Sequence, residues 1–248
     1  MQDTVIIENL SVHFSGHPAL YNVNARFATI GVSALVGRSG SGKTTLLRSI
    51  NRLNEEFPGC ATSGKVLVNF STGAADIYAD NAPPLRELRL RAGMVFQTPN
   101  LFPVSVCRNL AMPLQLMRGY GKSELDDRIR AALERVGLWK ELENKLGLPA
   151  EHLSGGQQQR LCLARTLSLE PEVLLLDEPT ASLDIHATAI IEEVLLDLAE
   201  KYTVIMVSHS LAQARRMSRR IFVLEEGSVN GSLDAAETIS EELLAKLL

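Results

Sequence analysis

Cysteine is scarce in this chain: Cys60, Cys107 and Cys162 are the three present among 248 residues. An odd count without a C-x-x-C pair supports neither a disulfide framework nor a zinc site, and it suits a reducing compartment. No stretch approaches about 18 uninterrupted apolar residues, so no membrane-spanning helix is expected. If the protein works at a membrane, other chains must cross it. The opening Met1-Gln2-Asp3-Thr4 has no basic region leading into an apolar run, so no secretory leader is expected either. Positive charge is in slight deficit, with a net charge of −4, which argues against a surface built to neutralise many nucleic-acid phosphates. Arg215, Arg216, Arg219 and Arg220 read as a solvated helix face. Repeats and low-complexity segments are absent. Apolar residues, by contrast, make up 46% of the chain, enough for one large domain or a core with an inserted subdomain.

Gly37-Arg38-Ser39-Gly40-Ser41-Gly42-Lys43-Thr44 fits the phosphate-binding pattern G-x-x-x-x-G-K-[ST] and follows Val32–Val36, an apolar run that reads as a buried strand. Glycines let backbone N–H groups turn inward around phosphates, and a helix starting near Gly42 presents unpaired amides and the positive end of its dipole. Lys43 reaches toward the β- and γ-phosphates and Thr44 offers a hydroxyl to Mg²⁺, with Thr45 beside it in the nucleotide site. The chain is therefore expected to bind a nucleoside triphosphate.

Around this loop the sequence alternates in type. Val5–Phe14 and the apolar runs from Ala25 to Val36 read as strands. A helix is expected from Lys43 to about Leu53, broken by Pro58, Gly59 and Ser63-Gly64, with a strand from Lys65 to Phe70. Asn81–Pro84 marks a turn before a helix from Leu85 to Arg91, and Gly93–Phe96 is a short strand ending at Gln97. From Ser105 to about Val136 the period is helical, with Ile129, Leu133 and Val136 on one face. Strands return at Glu172–Leu176 and Thr203–Val207 around a helix from about Ala187 to Glu200, which implies a parallel sheet.

The apolar strand ending in Asp177-Glu178 has the form that carries an acid to Mg²⁺ beside a phosphate loop. Asp177 is the expected metal contact, through water, and Glu178 the expected general base for the attacking water. Leu153-Ser154-Gly155-Gly156-Gln157 opens a helix with a hydroxyl and bare amides, a second anion-binding feature. This pentapeptide, between a phosphate loop and an apolar-Asp-Glu strand, resembles the signature of the ATP-binding cassette ATPases over nearly the whole chain.

The resemblance implies an α/β fold: a P-loop NTPase core with a mainly parallel sheet, an N-terminal antiparallel β region and an inserted α-helical subdomain. Residues 1–97 and 166–230 would form the nucleotide-binding core of a single domain, 98–165 the helical signature subdomain and 231–248 a short C-terminal helix. Gln97 resembles the family glutamine that touches Mg²⁺ and the attacking water, and His209 the histidine that contacts the γ-phosphate, so Glu178, His209, Gln97 and Lys43 carry catalysis. Ser182-Leu183-Asp184 resembles the loop that crosses between subunits, placing Asp184 at the nucleotide with Ser154, Gly155, Gly156 and Gln157 of the signature. Phe14 falls where the family stacks an aromatic on adenine, with His13 and Tyr21 as neighbouring alternatives. The implied cofactors are ATP and Mg²⁺. The implied assembly is a homodimer on two integral membrane permease chains at the cytoplasmic face of the inner membrane, fed by a solute-binding protein, without nucleic acid.

Asn51-Arg52-Leu53-Asn54, Met94–Asn100 and Gln157–Cys162 also resemble the ATP-binding subunits of bacterial phosphate importers. Thr180–Ile185 and Arg38-Ser39 depart from that subfamily's Cys-Ser-Ala-Leu-Asp-Pro and Pro-Ser. Phosphate is the expected cargo, with other anions and amino acids open by analogy. A nucleic-acid-acting relative would carry long coiled-coil or zinc insertions, and none is visible.

Overall fold

The fold was obtained as a computed structural model that describes residues 3–234. In chain order the elements are β1 (Asp3–Phe14), β2 (His17–Ala28), β3 (Gly31–Val36), α1 (Lys43–Ser49), β4 (Cys60–Phe70), β5 (Gly73–Asp76), α2 (Leu85–Arg91) and β6 (Ala92–Val95). They continue as α3 (Val106–Pro113), α4 (Lys122–Arg135), α5 (Trp139–Leu142), α6 (Gly155–Ser168), β7 (Val173–Asp177), α7 (Ile185–Ala199), β8 (Thr203–Val207), α8 (Leu211–Met217), β9 (Arg220–Glu225) and β10 (Ser228–Asp234). One sheet is antiparallel, in the order β2-β1-β4-β5. The other has the order β10-β9-β3-β8-β7-β6, parallel throughout except for β10. The α/β architecture with an antiparallel N-terminal sheet and a mostly parallel main sheet agrees with the expectation from sequence.

Both faces of the main sheet are covered, which is why its central strands are apolar without alternation. In β3, Val32, Ala34 and Val36 join the core under the helices, and Leu35 joins the core shared with the antiparallel sheet. β7 and β8 divide in the same way, with Leu174, Leu176, Val204 and Met206 on one side and Val173, Leu175, Ile205 and Val207 on the other. The helix that opens at the phosphate loop, α1, buries Leu46 and Leu47 completely, followed by Ile50, in the core between the sheets. Truncating any of them to alanine costs about 2–5 kcal/mol, so the loop sits on a rigid support.

Several local expectations are corrected. α1 ends at Ser49 instead of about Leu53, because Asn54 turns back and donates to the Thr45 carbonyl at 2.8 Å and to Ser49 Oγ at 3.0 Å. Arg52 then takes a left-handed backbone, φ 56°, and a 3₁₀ turn follows at Leu53–Glu56. Ser63-Gly64 does not break the chain but lies inside β4, whose register against β1 slips between Glu8 and Ser11. Gly64 has φ +98°, and a Cβ there would lie 2.3 Å from the Asn9 carbonyl oxygen, so only glycine fits this bulge. The helical stretch from Ser105 is interrupted by a π-turn at Leu114–Arg118 and by Gly119 at φ +72° before α4 begins. Residues 231–234 of the expected C-terminal helix continue β10 as strand, and the remainder of that helix lies outside the described residues.

Candidate nucleotide site

The loop between β3 and α1 is shaped by two close approaches. A Cβ on Gly37 would lie 2.1 Å from the Leu224 carbonyl oxygen, and one on Gly42 would lie 2.8 Å from both the Ala19 carbonyl oxygen and Leu20 Cδ2. Gly42 is also the N-cap of α1 with φ +99°, a conformation that costs other residues energy. Lys43 Nζ donates to the Gly37 and Arg38 carbonyls, both at 2.8 Å, so the ammonium spans the loop it belongs to. Burial pushes the Lys43 pKa down, while the carboxylates of Glu178 and Asp177 oppose that shift.

β7 delivers two acids with different environments. Asp177 accepts a hydrogen bond from Thr44 Oγ1 at 2.9 Å, and Arg48 lies 4.0 Å from its second oxygen. Glu178 leaves the strand with a left-handed backbone, φ 48°, a rare state for a non-glycine residue. Its side chain is 8% exposed; Oε1 meets His209 Nε2 and Oε2 has no hydrogen-bond partner. Burial pushes the Glu178 carboxyl above the ordinary glutamate value; Asp177 adds to the rise, and His209 and Lys43 act against it. A carboxyl held this way is suited to taking a proton.

Gly42, Lys43, Thr44, Glu178 and His209 line one cleft of about 890 Å³ together with Ser39, Gly40, Thr45 and Gln97. Its other wall comes from β2 and the β9–β10 turn, where Tyr21 N donates to the Gly227 carbonyl at 2.8 Å. Of that wall, the sequence pointed only to Tyr21, as an alternative ring for adenine; Pro18–Leu20 and Glu226–Ser228 carried no local signal. Gly37, Arg38, Ser41 and Asp177 do not line the cleft itself. Phe14 does not line it either. The pairing of Phe14 with Cys60 carries its ring to Phe57, edge-on with centroids 6.2 Å apart, whereas Tyr21, 67% exposed, stands on the cleft wall.

The signature residues lie elsewhere. Ser154 caps α6 by accepting from Gln157 N at 3.3 Å, and Gln157 Oε1 accepts from Ser154 N at 3.1 Å, a reciprocal capping box. Gln157 Nε2 is held by Glu141, which also pairs with the buried Arg160 at 2.8 Å. Ser154 and Gly155 are exposed, while Gly156 packs under α7. Asp184 caps α7 through Ala187 N at 2.9 Å, and that bond holds its carboxyl below the usual range. Neither the signature nor Asp184 reaches the cleft of its own chain.

The ABC transporter family profile matches residues 20–181. The chain belongs to that family. As an ABC ATPase it binds and hydrolyses ATP. It is 44% identical over 230 residues to the phosphate import ATP-binding protein PstB of Rubrobacter xylanophilus, covering 92% of this chain and 79% of that protein. It is 42% identical to PstB of Thermotoga maritima, over 92% of this chain and 89% of the relative. Among solved ABC structures, cbiO1 of Clostridium perfringens, part of the cbiONQ transporter complex, superposes with a TM-score of 0.81 at 29% identity, covering 98% and 93% of the two chains. The ATP-binding cassette MJ0796, solved as a dimer in a post-hydrolysis state with ADP and Pi, superposes with a TM-score of 0.76 at 31% identity, covering 94% and 100%.

Proposed function

We propose that this ABC ATPase energises a phosphate importer, working as a homodimer on the cytoplasmic face of the inner membrane beneath two permease chains. The observation that carries the reading is the match to PstB proteins at 42–44% identity over 92% of the chain. No helix among the described residues is long and apolar enough to cross a membrane, so permease chains would supply the route and a solute-binding protein the cargo. An incomplete site supports the dimer: the exposed helix N-terminus at Ser154-Gly155 lies away from the chain's own cleft, where it could serve a partner's nucleotide. The helical subdomain, residues 98–165, would swing this cap onto a partner's cleft, while 1–97 and 166–230 hold the nucleotide.

In the reaction, backbone amides from Gly37 to Gly42 hold the phosphates and Lys43 leaves its carbonyl partners for the β- and γ-oxygens. Thr44, Asp177 and Gln97 would hold Mg²⁺. The donor set fits, because Thr44 Oγ1 and the Asp177 carboxylate already lie 2.9 Å apart. No cluster of three or more His, Cys, Asp or Glu among the described residues could hold the ion alone, so phosphate and water oxygens would complete its shell. Bound there, Mg²⁺ supplies charge neutralisation at the phosphates. Glu178 accepts the proton of the attacking water as its oxygen bonds to the γ-phosphorus and the bond to ADP breaks; His209, in contact with Glu178, holds the γ-oxygens. The adenine would stack on an aromatic ring, either Tyr21 on the cleft wall or Phe14, which packs on Phe57 away from it, and alanine variants of each separate the two by their effect on ATP affinity.

The test is reconstitution with its permease chains in liposomes. Phosphate-loaded binding protein should stimulate ATP hydrolysis and phosphate uptake together. Stimulation by another solute instead would leave the ATPase reading standing and overturn the cargo.

A further inference from the structure

We infer that Gln213, outside every motif used above, is a positioning residue that braces the His209 loop against the turn leaving Glu178. It stands in the first turn of α8 and is 9% exposed. Its amide bridges three elements: Oε1 accepts from Ser208 Oγ at 2.8 Å, and Nε2 donates to Thr180 Oγ1 at 2.8 Å and to Glu192 Oε1 on α7 at 2.9 Å. Glu192 is fixed by Arg216, at 2.8 and 3.1 Å. Because the Glu192 carboxylate only accepts, the amide has one orientation: the flipped form would turn its oxygen toward that carboxylate.

The bridge matters because of where the ladder stops. β7 and β8 pair up to Asp177 opposite Val207, so Glu178 and His209 both lie beyond the last rung. Ser208 adjoins His209, and Thr180 sits in the turn closed by Ala181 N donating to the Glu178 carbonyl at 3.2 Å. A second cavity, about 250 Å³ and lined by Glu178, His209, Thr180, Ser208, Gln213 and Arg216, opens beside this pair. Gln213 crosses that gap and holds the two loops at the spacing that puts His209 Nε2 on the Glu178 carboxylate. Satisfied buried networks of this kind fix geometry, and a half-satisfied one loosens it.

The inference rests on Glu178 and His209 being the hydrolytic pair, so controls must separate the two ideas. The experiment measures kcat, KM and ATP affinity of the full-length chain carrying Gln213→Leu, Thr180→Val, both together, or Thr180→Ser. Each of the first two should lower kcat roughly tenfold with KM and ATP affinity within about twofold, and the double variant should be no worse than either, as expected for members of one network. Thr180→Ser keeps the acceptor and should match the unaltered protein. Unchanged kcat in Gln213→Leu, or losses that multiply in the double variant, would overturn the bridge. Melting temperature is followed in parallel, and a fall in Tm with unchanged kcat also overturns it, leaving Gln213 a purely structural residue. Glu178→Gln and His209→Ala are the controls: if they retain turnover, the hydrolytic pair itself is misassigned, whatever Gln213 does.

Discussion

Glu178→Gln should have two effects of opposite sign. The substitution keeps the side-chain volume and leaves the left-handed backbone at φ 48° undisturbed, so packing is retained. It removes the proton acceptor, and loss of a general base lowers turnover by about 10²–10⁴-fold. The same change should stabilise the fold. The carboxylate is 8% exposed and Asp177 adds like charge, so neutralising it relieves a charge-burial penalty of order 1 kcal/mol. For a domain of this size that is a rise in Tm of about 2–4 °C. The pH dependence follows from the raised pKa. A protonated Glu178 is as neutral as glutamine, so the two proteins should melt together below the ordinary glutamate value. The native protein loses that stability as pH rises through the elevated value, and the gap opens there. Phosphate release at saturating Mg-ATP and nucleotide-free thermal melts from about pH 4 to 8, spanning the ordinary glutamate value, provide the measurements. Turnover within tenfold of the unaltered enzyme, or a lower Tm at pH 8, refutes the reasoning.

Gly42→Ala forces a Cβ to 2.8 Å from the Ala19 oxygen at a left-handed N-cap, so ATP binding should weaken more than tenfold and the fold should lose about 1–3 kcal/mol, read by nucleotide titration and melting. Ser154→Ala removes the cap of α6 at about 1 kcal/mol; Tm should fall by about 2–4 °C, and hydrolysis should drop while nucleotide affinity of the monomer holds. Arg91→Ala removes a side chain that bonds Glu172 at 2.7 Å and Thr72 at 2.8 Å and lies 4.0 Å over the Phe70 ring, tying α2 to the end of β4 and to the residue that precedes β7. A loss of about 2 kcal/mol in denaturant unfolding is expected, with ATP affinity unchanged.

Sequence alone determined the parts whose chemistry is contiguous. The phosphate loop, the acids ending β7 and the Ser154 cap are each set by neighbouring residues, because glycine dihedrals, N-terminal amides and caps are local properties of the backbone. The parallel sheet was legible for a similar reason, since strands covered on both faces read as apolar runs without period-2 alternation. Where local patterns competed with tertiary partners, they misled: Asn54 stopped α1 early by bonding Thr45, and the Asn9 carbonyl turned an apparent break at Gly64 into a bulge. Only the tertiary structure decided which residues meet. Thr44 reaches Asp177 across 133 positions, Glu178 meets His209 beyond the end of a ladder, and Gln213 spans three elements. The cleft wall at Tyr21 exists because β2 docks on the turn at Gly227, and Phe14 was drawn to Phe57 instead. Such contacts follow from strand order and register, which depend on the whole core closing at once.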